Sequence, residues 1–145
     1  MNKETNKILA VIDTNVIVSA FFSKDGKSNP SLIVRHILER LIIPLYNDEI
    51  LDEYFEVLSR PQFHFKKEQI YSFIQTIRDN GYNTQRTKVI GEIFPDPDDI
   101  VFYEVKMSVE DSYLVTGNLK HFPQKPFVVT PTQMIEIIKD LKADK

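Results

Sequence analysis

Short runs of branched apolar residues recur along this chain, and most are separated by stretches whose apolar residues return at helical spacing. Ile8-Leu9-Ala10-Val11-Ile12, Ile42-Ile43-Pro44-Leu45-Tyr46, Val89-Ile90, Tyr113-Leu114-Val115 and Phe127-Val128-Val129 read as strands. Runs this apolar have no polar face to turn to water, so they belong in a sheet covered on both sides. The alternation predicts an α/β fold: a three-layer α/β/α sandwich around a central, mainly parallel sheet.

The intervening segments carry helix punctuation. After Asp13-Thr14-Asn15, the apolar positions Val16, Ile17, Ala20 and Phe21 predict a helix to Phe22. Asn29-Pro30 opens a second helix running to about Arg40, with Pro at its first position. Asn47 or Asp48 caps a third, from Glu49 to Ser59, which the Arg60-Pro61 step ends. A fourth runs from about Lys66 to Asn80, with Gly81 placed as the left-handed residue after it. A fifth spans about Ile100 to Met107 behind the acidic run Pro95-Asp96-Pro97-Asp98-Asp99. Thr130-Pro131-Thr132-Gln133 fits a capping box that starts the last helix, through Leu141. Pro44 lacks a backbone donor and points to a strand start or a sheet edge.

One domain over residues 1–145 is the expectation for a chain of this length with 42% apolar residues. No apolar stretch approaches the roughly 18 residues of a membrane span, and no secretory leader is visible, which predicts a soluble, cytoplasmic protein. With no cysteine, disulfides, thiolate metal sites and a cysteine nucleophile are excluded. The net charge of −3 argues against a general polyanion-binding surface. If Asp13, Glu53, Asp96, Asp98 and Asp99 share one metal site, however, the remaining surface carries +2.

Asp13 ends the first apolar run, at the carboxyl edge where open α/β sheets place their ligands. The Asp96-Asp98-Asp99 cluster and Thr116-Asn118 stand at positions compatible with the same rim. Glu53 falls at the margin of the third helix's apolar face, next to Tyr54 and Ile50, and could lean into the cleft. Oxygen donors of this kind suit hard divalent cations, and carboxylates retaining metal-bound waters are common where phosphodiesters are cut.

Four pieces in order, Val11-Ile12-Asp13-Thr14-Asn15-Val16, Glu49-Ile50-Leu51-Asp52-Glu53-Tyr54, Asp96-Pro97-Asp98-Asp99 and Tyr113-Leu114-Val115-Thr116-Gly117-Asn118, resemble the PIN-domain nucleases. Within them the chain is similar to the toxin components of bacterial toxin–antitoxin pairs. The resemblance implies that Asp13, Glu53 and Asp99 are acidic ligands of Mg²⁺ or Mn²⁺, with Asn15 and Thr116 as polar supports. Asp96 and Asp98 would assist a second metal or the helix cap. Asn118 stands where many members have a fourth Asp and would be a further metal ligand through its neutral amide oxygen, with a weaker attraction for a second cation. The implied activity is endonucleolytic hydrolysis of RNA by in-line attack of a metal-activated water. The implied partners are RNA, a small antitoxin over the cleft and a second copy of the chain.

Taken singly, these residues have plainer roles. Asp13 suits an N-cap, Asp98 and Asp99 suit first-turn acids, Glu53 suits an exposed helix position, and Thr116-Gly117-Asn118 suits a turn. His36, His64 and His121 show no metal-ligand spacing, and His121 reads as part of a solvated loop. Phe63 and Phe65 read as a hydrophobic latch rather than a base-stacking platform. An aspartyl-phosphate phosphatase needs a second acid where Asn15 stands. The remaining rival is a weakened or inactive PIN-like module that binds RNA or protein without cutting.

Overall fold

The computed structural model describes residues 7–143. Among them five strands, β1 (Ile8–Ile12), β2 (Ile42–Tyr46), β3 (Tyr82–Asn83), β4 (Ser112–Val115) and β5 (Val128–Val129), form one sheet in the order β3-β2-β1-β4-β5. Every pairing is parallel. The helices are α1 (Thr14–Phe22), α2 (Asn29–Leu38), α3 (Asp48–Leu58), α4 (Lys67–Asn80), α5 (Ile100–Met107) and α6 (Pro131–Ala143). Together they make a three-layer α/β/α sandwich. No described helix is long and apolar enough to cross a membrane.

β1 is the centre of the sheet, and its residues Ala10, Val11 and Ile12 are wholly buried. It pairs with β2 from Ile8↔Ile42 to Ala10↔Pro44 and with β4 from Leu9↔Ser112 to Ile12↔Val115. From β1 the chain crosses to β2 on one side, while β4 fills the other. The topological switch therefore lies between the carboxyl ends of β1 and β4, where such sheets open a crevice. Asp13 and Thr116 are the first residues past those two ends.

Three sequence expectations are corrected. Val89-Ile90 is no strand: the third strand is Tyr82–Asn83, paired with Leu45 and Tyr46. Val89 instead donates its N–H to the Glu104 carboxylate at 2.9 Å, and Ile90 is 89% exposed. Gly81 is not left-handed, with φ −113°. A Cβ there would stand 2.2 Å from the Pro44 carbonyl oxygen and 2.7 Å from that of Ile77, so close backbone approach is what excludes a side chain. The second helix stops at Leu38, and Arg40 turns the chain with φ 65°. Pro44 falls inside β2, on the part that β3 leaves unpaired, so its missing donor breaks no ladder with β3.

The capping box forms as read: Thr130 N–H donates to Gln133 Oε1 at 2.8 Å and Gln133 N–H to Thr130 Oγ1 at 3.1 Å. Phe63 and Phe65 pack with Phe21 and Phe22 in one aromatic cluster, with ring centroids 4.8–5.5 Å apart. α5 packs on β1, β2 and β4 and delivers the acidic run before it to the crevice. Two charged residues of α5 are buried. Glu104 is held by the Arg86 guanidinium at 2.7 Å, and the Lys106 ammonium lies 4.0 Å over the Phe127 ring.

Candidate functional site

Asp13 is 4% exposed and its N–H is tied to the Val115 carbonyl at 2.8 Å, so the sheet ladder itself places the residue. Its side chain caps α1, as the plainer reading expects: Oδ1 accepts from Thr14 N–H at 2.8 Å. Its second oxygen accepts from the Thr116 hydroxyl, also at 2.8 Å. Tyr54, fully buried on α3, donates to the Ile12 carbonyl just before it. Burial pushes the Asp13 carboxyl up to about 6, against the Thr116 and Thr14 hydrogen bonds that favour its charged form.

A cleft of about 420 Å³ opens over this point, lined by Asp13, Asn15, Glu53, Asp96, Asp98, Asp99 and His121 among others. A larger cavity, about 540 Å³, lies beside β5 but has no carboxylate in its lining, so chemistry rather than size marks the site. Glu53 reaches the cleft from the second turn of α3 and accepts a hydrogen bond from the Thr14 hydroxyl. Burial raises its pKa, the Thr14 hydrogen bond opposes this, and the nearby charge of Asp99 adds to the rise.

Asp99 ends the 3-10 turn Pro97–Asp99 and is 8% exposed. Its Oδ2 is buried without a hydrogen-bond partner. His121 Nδ1 stands 3.2 Å from that oxygen as its ion-pair partner. Burial, with the charge of Asp13 next, pushes the Asp99 carboxyl up to about 6, and His121 pulls the other way. Buried carboxylate oxygens in natural proteins commonly accept more than a single contact of this kind, so Asp99 Oδ2 retains capacity for a ligand.

The other sequence candidates take supporting places. Asp96 caps the acidic turn, its Oδ1 accepting from Asp98 N–H at 2.9 Å, while Asp98 itself lines the cleft. Asn15 Oδ1 accepts from Gly117 N–H at 3.1 Å and so clamps the start of α1 to the loop after β4. Thr116, wholly buried, donates to Asp13 and accepts from Asn118 N–H at 3.0 Å. The expectation of Asn118 as a metal ligand is corrected: its side-chain oxygen accepts from Lys120 N–H at 3.3 Å, capping the turn after it, and the residue does not line the cleft.

His121 is the cleft residue that sequence reasoning assigned to a solvated loop. The 3-10 turn Leu119–His121 after Asn118 swings it over Asp99, and no spacing in the sequence announces that contact. Arg60 also lines the cleft, held by both Glu56 oxygens at 2.9 and 3.0 Å.

Among the described residues, no three histidines or acids already stand in an arrangement that holds an ion. The donor set nonetheless fits a hard divalent cation: its side chains offer carboxylate oxygens, and among the described residues the buried Asp99 Oδ2, which has no hydrogen bond to backbone or hydroxyl, belongs to it. Asp13 and Glu53 meanwhile hold threonine donors that a cation would supplement or displace.

Fold and cleft define a parallel α/β protein with an acidic site at the switch point of its sheet. Residues 9–120 match the family model for the PIN domain, and the chain belongs to that family. PIN domains are in general nucleases, often acting on RNA, and typically use divalent metals. No curated protein and no solved structure matches the chain.

Proposed function

We propose that this chain is a metal-dependent endoribonuclease that hydrolyses RNA phosphodiester bonds in the cleft between the ends of β1 and β4. The observation that carries the reading is the buried Asp99 oxygen, which among the described residues only His121 approaches as a donor, in a cleft shared with Asp13 and Glu53. Those three would hold Mg²⁺ or Mn²⁺, and Asp96 and Asp98 add negative charge that favours a cation. A divalent ion bound there supplies Lewis-acid stabilisation of phosphoryl charge and lowers the pKa of water.

The chain's own contribution is orientation. The Thr116 hydroxyl and Thr14 amide fix both Asp13 oxygens, and the Thr14 hydroxyl fixes Glu53. Side chains locked in this way need little reorganisation when substrate arrives. A binding-only module is not favoured. Asn118 does not line the cleft, so its amide leaves five carboxylates there.

The test is cleavage of an RNA oligonucleotide with Mg²⁺ or Mn²⁺. EDTA should abolish it, and Asp99→Asn should slow it by about a hundredfold or more, the scale of losing a group that stabilises transition-state charge. Intact RNA together with a melting temperature indifferent to millimolar Mg²⁺ and Mn²⁺ would return the binding-only reading. On the resemblance of the four motifs, the nuclease is further proposed as the cytoplasmic toxin of a toxin–antitoxin pair, able to pair with itself and covered by a small antitoxin. Expression alone should arrest growth, and the product of the neighbouring reading frame should relieve the arrest. Unimpaired growth with an active nuclease contradicts the toxin role.

A further inference from the structure

We propose that His121 is a nitrogen ligand of the cation held by Asp99, so that the cleft takes a first-row transition ion such as Mn²⁺ in preference to Mg²⁺. The proposal rests on the reading of the cleft as a divalent-metal site.

Three observations carry it. His121 Nδ1 lies 3.2 Å from Asp99 Oδ2, so the imidazole and the carboxylate already face each other across the cleft. Two adjacent ligands of an octahedral ion with bonds of about 2.1 Å are roughly 3 Å apart, so the spacing is that of neighbours on one cation. The oxygen is buried and, among the described residues, His121 is its one polar partner, which leaves it free to bind a ligand. His121 also lines the same cleft as Asp13 and Glu53, with its side chain 41% exposed and open to an incoming ion.

The backbone explains why the histidine arrives there. Asn118 accepts from Lys120 N–H and so caps the short turn that ends at His121. The residue that departs from the family's acid pattern thus positions a different donor. An imidazole in place of a carboxylate changes the preference of a site, because Mg²⁺ favours an all-oxygen shell whereas transition ions accept nitrogen.

Mn²⁺ itself is the probe, and pulsed EPR of the protein-bound ion reads the ligand directly. The parent chain should show nitrogen hyperfine coupling from one imidazole, and His121→Gln should lose it. By isothermal titration, His121→Gln should weaken Mn²⁺ binding by about tenfold or more and Mg²⁺ binding much less, tenfold being the low end of losses measured for outer-shell partners. Asp99→Asn should weaken both ions. Asp99-dependent Mn²⁺ binding without nitrogen coupling, or with the same affinity ratio in His121→Gln, overturns the histidine ligand and leaves the nuclease reading intact. Failure of the parent chain to bind either ion overturns both.

Discussion

Asp99 and Asp13 are each held in the folded chain where a carboxylate is poorly solvated, and both are pushed up to about 6. A folded pKa above the unfolded value means that the native state binds the proton more tightly. The contribution of these two groups to the stability of the metal-free protein should therefore decline as pH rises from about 4 to about 6 and be absent above that. The clean measurement is the difference in melting temperature between Asp99→Asn and the parent chain in EDTA. It should widen in favour of the variant across that window and stay level at higher pH. A difference independent of pH would show that Asp99 is not strained by its surroundings. The same substitution removes the buried charge that the proposed function needs, so stability and cleavage should move in opposite directions. That Asp13, Glu53 and Asp99 line one cleft was legible because the motifs come in order along the sequence. His121 was not, because only the capped turn after β4 brings it to Asp99.

At the level of elements, local chemistry explains most of what could be read. The capping box of α6, the Pro entry of α2 and the acidic turn before α5 are all written in neighbouring residues. β3 escaped because it is two residues long and both are exposed, leaving no apolar run to notice. Val89-Ile90 imitated a strand because two branched residues carry the same signal whether they enter a sheet or a connector. Gly81 looked like a helix stop, and only the packing of α4 on β2 reveals the contact with Pro44. Gly81→Ala should cost about 1–3 kcal/mol in urea unfolding, since the obstructing atoms are backbone. An unchanged midpoint would mean that the helix and strand can separate freely. Tyr54→Phe should cost about 1–2 kcal/mol, because it leaves the buried Ile12 carbonyl without its hydroxyl donor. It should also weaken metal binding measured by titration, since that carbonyl belongs to the residue before Asp13.

Across the whole molecule, the modest net charge of −3 conceals a division between an acidic cleft and the rest of the surface. Five carboxylates around one opening repel phosphate until a cation offsets them. RNA binding followed by fluorescence anisotropy should therefore be weak in EDTA and strengthen with Mn²⁺, using a non-cleavable RNA analogue. Asp99→Asn should bind that analogue more tightly than the parent chain in EDTA, yet gain less from the metal. Equal affinity with and without metal would separate RNA binding from the acidic cleft. The most direct test of the central claim is single-turnover cleavage of one RNA by the parent chain and Asp99→Asn, each with Mn²⁺ and with EDTA. Cleavage confined to the parent chain with metal is the predicted result; undiminished metal-dependent cleavage by Asp99→Asn would contradict it.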